Sequence, residues 1–324
     1  MINNAYSPLS FSPSVADALL RNDHNFIITG AGGWLGQATL EMLDQALGDT
    51  MHKRVMAYSA TERKLYLRSG RIIPCHALQD IATLTPQKCL MFHYAFLTRD
   101  KVSDMSLDAF IAQNTAISNT VLDAVERLGV SGVFVPSSGA VYRADRSIDE
   151  DREKNPYGVM KARDERRFLA LSTARRVIVS RIFNLGGPFI NKISNYALSS
   201  IIMDMLNERS IALQADKPVW RSYMHVRDVV DLAMALLLSD TSFLSAPFDT
   251  AGEQEIEIGD LAHRIAQILG KPGYPIHRPG ITGLENRYVG DGTTIRALLA
   301  EHAIIPHTLN RQIMDTVEYC RSLL

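Results

Sequence analysis

Residues 26–36, Phe-Ile-Ile-Thr-Gly-Ala-Gly-Gly-Trp-Leu-Gly, limit the folds open to this chain more than any other stretch. A short apolar run turns at Thr29-Gly30 and meets glycines at Gly30, Gly33 and Gly36. It passes at once into a helical pattern carried by Leu35, Leu40, Met42, Leu43 and Leu47. A strand, a glycine turn and a helix N-terminus bring backbone N–H groups and a positive helix end to one point. Glycine lets the turn take unusual φ values, lets a pyrophosphate approach the backbone, and lets helix pack closely on strand. Scattered glycines would say little. These open directly after a first strand and start a βαβ pattern, which is the context such a loop requires. The loop therefore reads as a dinucleotide cradle, with Gly30, Gly33, Trp34, Leu35 and Gly36 against the cofactor.

After the loop, apolar strands alternate with amphipathic helices. Strands are expected at 25–29, 54–58, 88–93, 132–136 and 177–183, with a shorter one at 71–74; helices are expected at 33–47, 107–128 and 157–172. This alternation indicates an α/β fold with a Rossmann-type, doubly wound parallel sheet over residues 25–185. From about Gly186 the rhythm loosens into helices at 195–207, 226–238, 258–269 and 309–323, with short strands at 211–213 and 246–250. Residues 186–324 read as a smaller α/β substrate-binding domain, whose strand near 246–250 could return to the main sheet. Residues 1–24 read as a leader, with Ser12 capping a short helix from Pro13 to about Arg21.

Composition removes several partners. A formal net charge of −1 over 324 residues gives no reason to expect nucleic acid or an anionic membrane. The three cysteines, Cys75, Cys89 and Cys320, lack metal-ligand spacing, so reduced thiols and no metal site are expected. Residues 232–238 are apolar but too few to span a bilayer, and the N-terminus lacks a signal-peptide pattern. Cytoplasm is the default expectation.

The chemistry points to one trio. Tyr157 and Lys161 stand four apart, on one helix face, and Ser138 follows the apolar strand upstream of them. A phenol of pKa about 10 is a poor acid–base catalyst at neutral pH, and a neighbouring ammonium lowers that pKa. Lys161 can also hydrogen-bond a ribose hydroxyl, while Ser138 holds the substrate's oxygen beside Tyr157. Such a set suits hydride transfer between a nicotinamide and a carbon bearing oxygen. Tyr-x-x-x-Lys alone is common by chance. Its weight comes from the order of glycine loop, serine and helix pair.

With these motifs in order, the chain resembles the extended short-chain dehydrogenase/reductase family of nucleotide-sugar epimerases, dehydratases and reductases. Thr29–Gly36 fits its Thr-Gly-x-x-Gly-x-x-Gly loop, and Phe92-His93-Tyr94-Ala95 resembles the segment beside the cofactor ribose. Asn114 falls at the family's helix asparagine, and Ser137 to Tyr142 at its Ser-Ser-x-x-Val-Tyr strand end. The stretches from Arg181 to Pro188 and from Arg221 to Asp228 resemble those that meet the sugar nucleotide. The resemblance implies a diphosphate held by Asn184 and Arg221, with Arg287 as a further donor or simply an exposed loop arginine. It also implies a homodimer through the helices near 107–128 and 157–172.

Departures from the family pattern sharpen the reading. NAD-selective relatives end the second strand in an acid that binds the adenosine ribose. Here Ser59 stands in that place, followed by Arg63 and Lys64, which favours NADP over NAD unless the two cations merely start a helix. Ala77 replaces an aspartate that relatives aim at the adenine. Gly139-Ala140 stand where sugar dehydratases carry Asp-Glu, so dehydration is not expected. The leading expectation is an NADP-dependent reduction of a nucleotide-linked 4-keto-6-deoxyhexose. The alternatives are a nucleotide-sugar 4-epimerase with tightly held NAD, a catalytically silent dinucleotide sensor, and a reductase of small carbonyl compounds.

Overall fold

The computed structural model describes residues 9–239 and 244–324, and the chain divides into two compact units. The first comprises Leu9–Ile182 and Val230–Phe248; among the described residues, the second comprises Phe183–Val229 and Asp249–Leu324.

The first unit is built on an eight-stranded sheet. Runs such as Phe26-Ile27-Ile28 and Val133-Phe134-Val135 are buried at every position, as a sheet covered on both faces requires. The chain enters mid-sheet at Asn25–Thr29 and steps outward through Val55–Ser59 to Ile72–Ala77. It then crosses over to Cys89–His93 and continues the other way through Gly132–Ser138 and Arg176–Ile182, with Phe248–Asp249 at the edge. The order reverses between Asn25–Thr29 and Cys89–His93, and ligands of open α/β sheets bind outside the strand C-termini at such a point. Helices Trp34–Leu47, Leu107–Leu128 and Pro156–Leu169 occupy the expected connections.

Two parts differ from expectation. Arg63 and Lys64 do not start a helix; Arg63–Tyr66 is an edge strand running antiparallel to Ile72–Ala77. Cross-strand pairing of Leu65 with Ile73 and a turn at Gly70 with φ of +87° close this hairpin, so local pairing overrides the helical rhythm. The described part of the leader belongs to the sheet unit. Pro13–Arg21 is helical as expected, and Leu9, Val15 and Leu19 are buried. Ser12 precedes this helix without a side-chain cap; its N–H donates instead to Asp231 Oδ1 at 3.0 Å. Residues 1–8 lie outside the described residues.

The second unit packs helices Ala197–Leu206, Ile258–Ile268 and Leu309–Arg321 around Ile202, Met205, Leu261, Ile265 and Ile313. Beside them lies a three-stranded sheet of Glu255–Glu257, Val219–Ser222 and Asn286–Tyr288. Its strands were not among the expected elements because they are too short to show a period, and the helix Thr293–Glu301 was missed although Ile295, Leu298 and Leu299 carry helical spacing. Cys75, Cys89 and Cys320 are free and buried, and no helix among the described residues is long and apolar enough to cross a membrane.

Two polar clasps hold this unit. Asp228 accepts from the His307 N–H and is 2.7 Å from His307 Nδ1, while His225 Nδ1 accepts from the Arg227 N–H at 3.0 Å. The two imidazoles stack at 4.3 Å, 20° from parallel. His225, Asp228 and His307 could by distance hold a metal ion. As they stand the three form a hydrogen-bonded clasp, with Asp228 accepting from His307 and His225 Nδ1 accepting from the Arg227 N–H. Glu257 takes both terminal nitrogens of Arg278 at 2.7 and 2.8 Å and caps Ile258–Ile268 through the Gly259 N–H. Burial acts to raise the Glu257 pKa, but these donors and the Val219 N–H outweigh it and hold the carboxyl at about 2, against 4.5 ordinarily. A lowered carboxyl pKa stabilises the fold above the ordinary value and loses that contribution as pH falls. Thermal melts are therefore expected to fall between pH 4.5 and about 2, and Glu257→Gln to melt lower at neutral pH with a flatter acid limb. Equal acid limbs for the two proteins would refute this account.

Candidate active site

At the switch point the glycine loop closes on the neighbouring strand end. Gly30 sits at φ +68°, and a Cβ there would stand 2.6 Å from Tyr94 C and Ala95 N. A Cβ on Gly36 would stand 2.5 Å from the Gly30 carbonyl oxygen, so glycine alone lets helix Trp34–Leu47 begin this close. Its N-cap, Gly33, offers no side chain to the first helical N–H groups. A helix that starts this way leaves its first N–H groups without a side-chain cap, the arrangement that suits an anion. Beneath the loop Thr29 Oγ1 lies 2.8 Å from His93 Nδ1. Burial, reinforced by the Lys161 charge, pushes the His93 pKa down to about 3 and keeps the ring neutral. Ala95 follows at the crevice, its N–H turned to Thr29 Oγ1 at 3.4 Å.

Ser138 ends its strand, nearly buried, with Oγ accepting from the Ala140 N–H at 3.1 Å. The next element is fastened to that turn by a residue the sequence reading passed over. Asn155 caps helix Pro156–Leu169 through the Gly158 N–H and donates from Nδ2 to the Ala140 carbonyl at 2.7 Å. Gly158 is the second missed signal: its Cβ would lie 2.1 Å from the Ala140 oxygen, so only glycine admits the helix here. Ser138, Tyr157 and Lys161 are thereby held on elements tied to one another. Lys161 is 8% exposed and donates from Nζ to the Pro136 carbonyl at 2.9 Å. Burial lowers its pKa to about 8 against the opposing pull of Asp164 and Glu165. Asn114, fully buried, accepts the Leu97 N–H at 2.8 Å and braces the chain after Ala95. Below Ser138, Glu165 accepts from Ser137 Oγ and takes a two-pronged bond from Arg181, whose guanidinium also reaches the Tyr142 hydroxyl.

At the far end of the loop, Ser59 is buried and its hydroxyl donates to the Thr61 carbonyl at 2.6 Å. Arg63, exposed on its edge strand, lays its guanidinium on Gly32, where an added Cβ would stand 1.5 Å from Nη2. Among the described residues no carboxylate pairs with it. Ala77 closes the adjacent strand, opposite Ser59.

In the second unit the register separates two expected partners. Arg221 pairs across the ladder with Tyr288, and Trp220 with Arg287. One residue along a strand reverses the face, so Arg221 and Arg287 point to opposite sides of the sheet. Arg287 lies over Trp220 and is paired with Glu255 and Glu285. Arg221 shares its side with Tyr288, 5.8 Å from the ring, and spends Nη1 on the Trp220 carbonyl and on Asn286. Burial lowers its pKa, and among the described residues no carboxylate neutralises it. Asn184 donates to the Ser222 and Tyr288 carbonyls at 3.1 and 3.4 Å, beside a Phe183–Tyr288 ring contact of 4.7 Å. The register brings together Asn184, Arg221 and Tyr288 and leaves Arg287 out. Tyr288 escaped notice because nothing in the sequence reveals which of two adjacent residues shares a face with Arg221.

The chain belongs to the NAD dependent epimerase/dehydratase family, whose model matches residues 26–244. That membership agrees with the resemblance to extended short-chain dehydrogenases/reductases. UDP-glucuronic acid decarboxylase 1 of Xenopus tropicalis is 24% identical over 224 residues, which is 65% of this chain and 52% of that protein. The chain thus spans about half the length of that curated relative. Among solved structures, UDP-N-acetylglucosamine 4-epimerase from Methanobrevibacter ruminantium superposes with a TM-score of 0.71 at 18% identity, over 94% of this chain and 100% of that one. RMD from Pseudomonas aeruginosa, solved with NADPH, gives 0.68 at 19% identity over 93% and 100%. UDP-glucuronic acid 4-epimerase from Bacillus cereus, solved with NAD, gives 0.65 at 15% identity over 93% and 97%. These likenesses show the fold.

The buried ammonium makes a measurable claim. Competitive acetylation of Lys161 across pH should titrate with a midpoint near 8, well below exposed lysines, because burial disfavours its charge. A midpoint at the ordinary lysine value would mean that water reaches the group freely.

Proposed function

We propose that the protein is an NADP-preferring oxidoreductase of nucleotide-linked sugars, reducing a 4-keto-6-deoxyhexose at Ser138, Tyr157 and Lys161. The observation that carries the cofactor choice is the Arg63 guanidinium lying on Gly32, with no carboxylate ion-paired to it among the described residues. A 2′-phosphate suits such a donor, and an aspartate at position 59 would repel it. The backbone of Gly30, Gly33, Trp34, Leu35 and Gly36 would hold the pyrophosphate, and the family resemblance puts Ala95 beside the adjoining ribose. A nicotinamide dinucleotide held there would supply the hydride.

The residues of the chain do the rest. Tyr157 gives its phenolic proton to the substrate oxygen, and Ser138 holds that oxygen by a hydrogen bond. Lys161 keeps a cation near the phenol, favouring the phenolate, and offers a donor to the cofactor ribose. Arg221, half-buried and with no acid partner among the described residues, is suited to an anionic group such as a diphosphate, with Asn184 bracing the backbone around it. Arg287, already paired with two glutamates, contributes less. The family resemblance also supports a homodimer through Leu107–Leu128 and Pro156–Leu169.

A second reading, 4-epimerisation with NAD retained between turnovers, is favoured by the epimerases among the solved relatives. Titration with NADPH, NADH and a panel of nucleotide sugars separates the two. Firmly bound oxidised NAD in the purified protein would decide for the epimerase. Arg63→Ala should weaken NADPH binding by about tenfold or more and leave NADH nearly unchanged, as loss of a charge-assisted bond predicts; equal losses would defeat the NADP assignment. Tyr157→Phe should lower turnover about 10²–10⁴-fold, the usual worth of a positioned proton donor. Turnover close to normal would remove Tyr157 from the chemistry.

A further inference from the structure

Phe96 has no role in the account so far, yet its ring lies against both members of the Tyr157/Lys161 pair. Lys161 Nζ stands 3.8 Å from the ring centroid, and the Tyr157 ring meets it edge to face at 5.8 Å and 80°. The chain around it is fixed on both sides, by the Ala95 N–H to Thr29 Oγ1 and by the Leu97 N–H to Asn114 Oδ1. An ammonium has three donors. One is given to the Pro136 carbonyl. The ring covers a further direction, where water would otherwise solvate the charge, and turns the negative face of its π system to the cation.

We propose that Phe96 is a positioning residue whose ring caps the Lys161 ammonium and directs its remaining donors toward Tyr157 and the cofactor ribose. The proposal rests on the reading of Lys161 given above. Three physical consequences follow from the geometry. The cap stabilises a charge that the site otherwise desolvates, so the lysine stays cationic with no carboxylate in direct contact among the described residues. It restricts the rotation of the ammonium, whose stem would otherwise sample several rotamers. It also ties the phenol to the same ring, so Tyr157 and Lys161 move as one unit. An aliphatic side chain of similar size would fill the space and provide none of this. Asp164 and Glu165, the other charges acting on the ammonium, stay in place in either case.

The test compares Phe96→Leu with Phe96→Tyr in the full chain, using NADPH affinity by calorimetry and the acetic anhydride labelling rate of Lys161 by mass spectrometry. Phe96→Leu should bind NADPH about 3–30-fold more weakly, the range of a desolvated cation–π contact. It should also label Lys161 faster, because the free amine is then less disfavoured. Phe96→Tyr, which keeps the ring, should restore both to within about twofold of wild type. If Phe96→Leu matches wild type in both readings, the ring is inert packing and the proposal falls. Tighter NADPH binding by Phe96→Leu would show that the ring obstructs the site, which also overturns it. If wild type binds neither NADPH nor NADH, the functional reading above fails by itself. The labelling rates then decide: faster labelling in Phe96→Leu alone keeps the cap on Lys161, and equal rates remove it. Should Phe96→Leu fail to fold by circular dichroism, Phe96→Met is read in its place.

Discussion

A β-carbon at position 30 would overlap the backbone of Tyr94 and Ala95, and the first unit is arranged about that approach. Because the turn after the first strand carries no side chains, it can lie against the end of the strand across the switch point. The helix that follows can start over the Gly30 carbonyl for the same reason. Thr29 and His93 then join the two strand ends beneath the turn, and the buried imidazole stays neutral. The N-cap at Gly33 adds no side chain to the start of that helix.

Charge is used sparingly around this frame. Lys161 is buried with a carbonyl and an aromatic ring as its direct neighbours, so its ammonium is held at the edge of stability and its pKa sits near 8. Arg221 is likewise half-buried, with no acid partner among the described residues. Arg181, by contrast, is fully met by Glu165 and Tyr142, and Arg278 by Glu257. A cation already matched by a carboxylate is part of the scaffold; one left unmatched in a dry place is available to an anionic or oxygen-bearing ligand. That contrast separates Arg221 from Arg287 on physical grounds.

Much of the sheet was legible because long apolar strands and amphipathic helices carry strong periods. The helix Leu107–Leu128 and the strand Asn25–Thr29 have the expected bounds, and other elements shift by a few residues at their ends. The edge hairpin at Arg63–Tyr66 was not legible, since four residues following two hydroxyl-bearing ones read equally well as a helix start. Nor were Asn155 and Gly158, whose importance lies in a carbonyl contributed by Ala140, far from them in sequence.

The sequence by itself determined the strand–glycine turn–helix and the placing of Tyr157 and Lys161 on one helix, because a glycine loop after a strand and a Tyr-x-x-x-Lys helix are local patterns with local causes. It determined membership of the family through several such patterns in sequence. Only the tertiary structure decided which side chains share a surface. Strand pairing turned Arg221 and Arg287 to opposite faces and brought Tyr288 forward. Chain reversal laid Arg63 on Gly32 and Phe96 on Lys161. Those contacts join residues distant along the chain, and no local period or propensity encodes them.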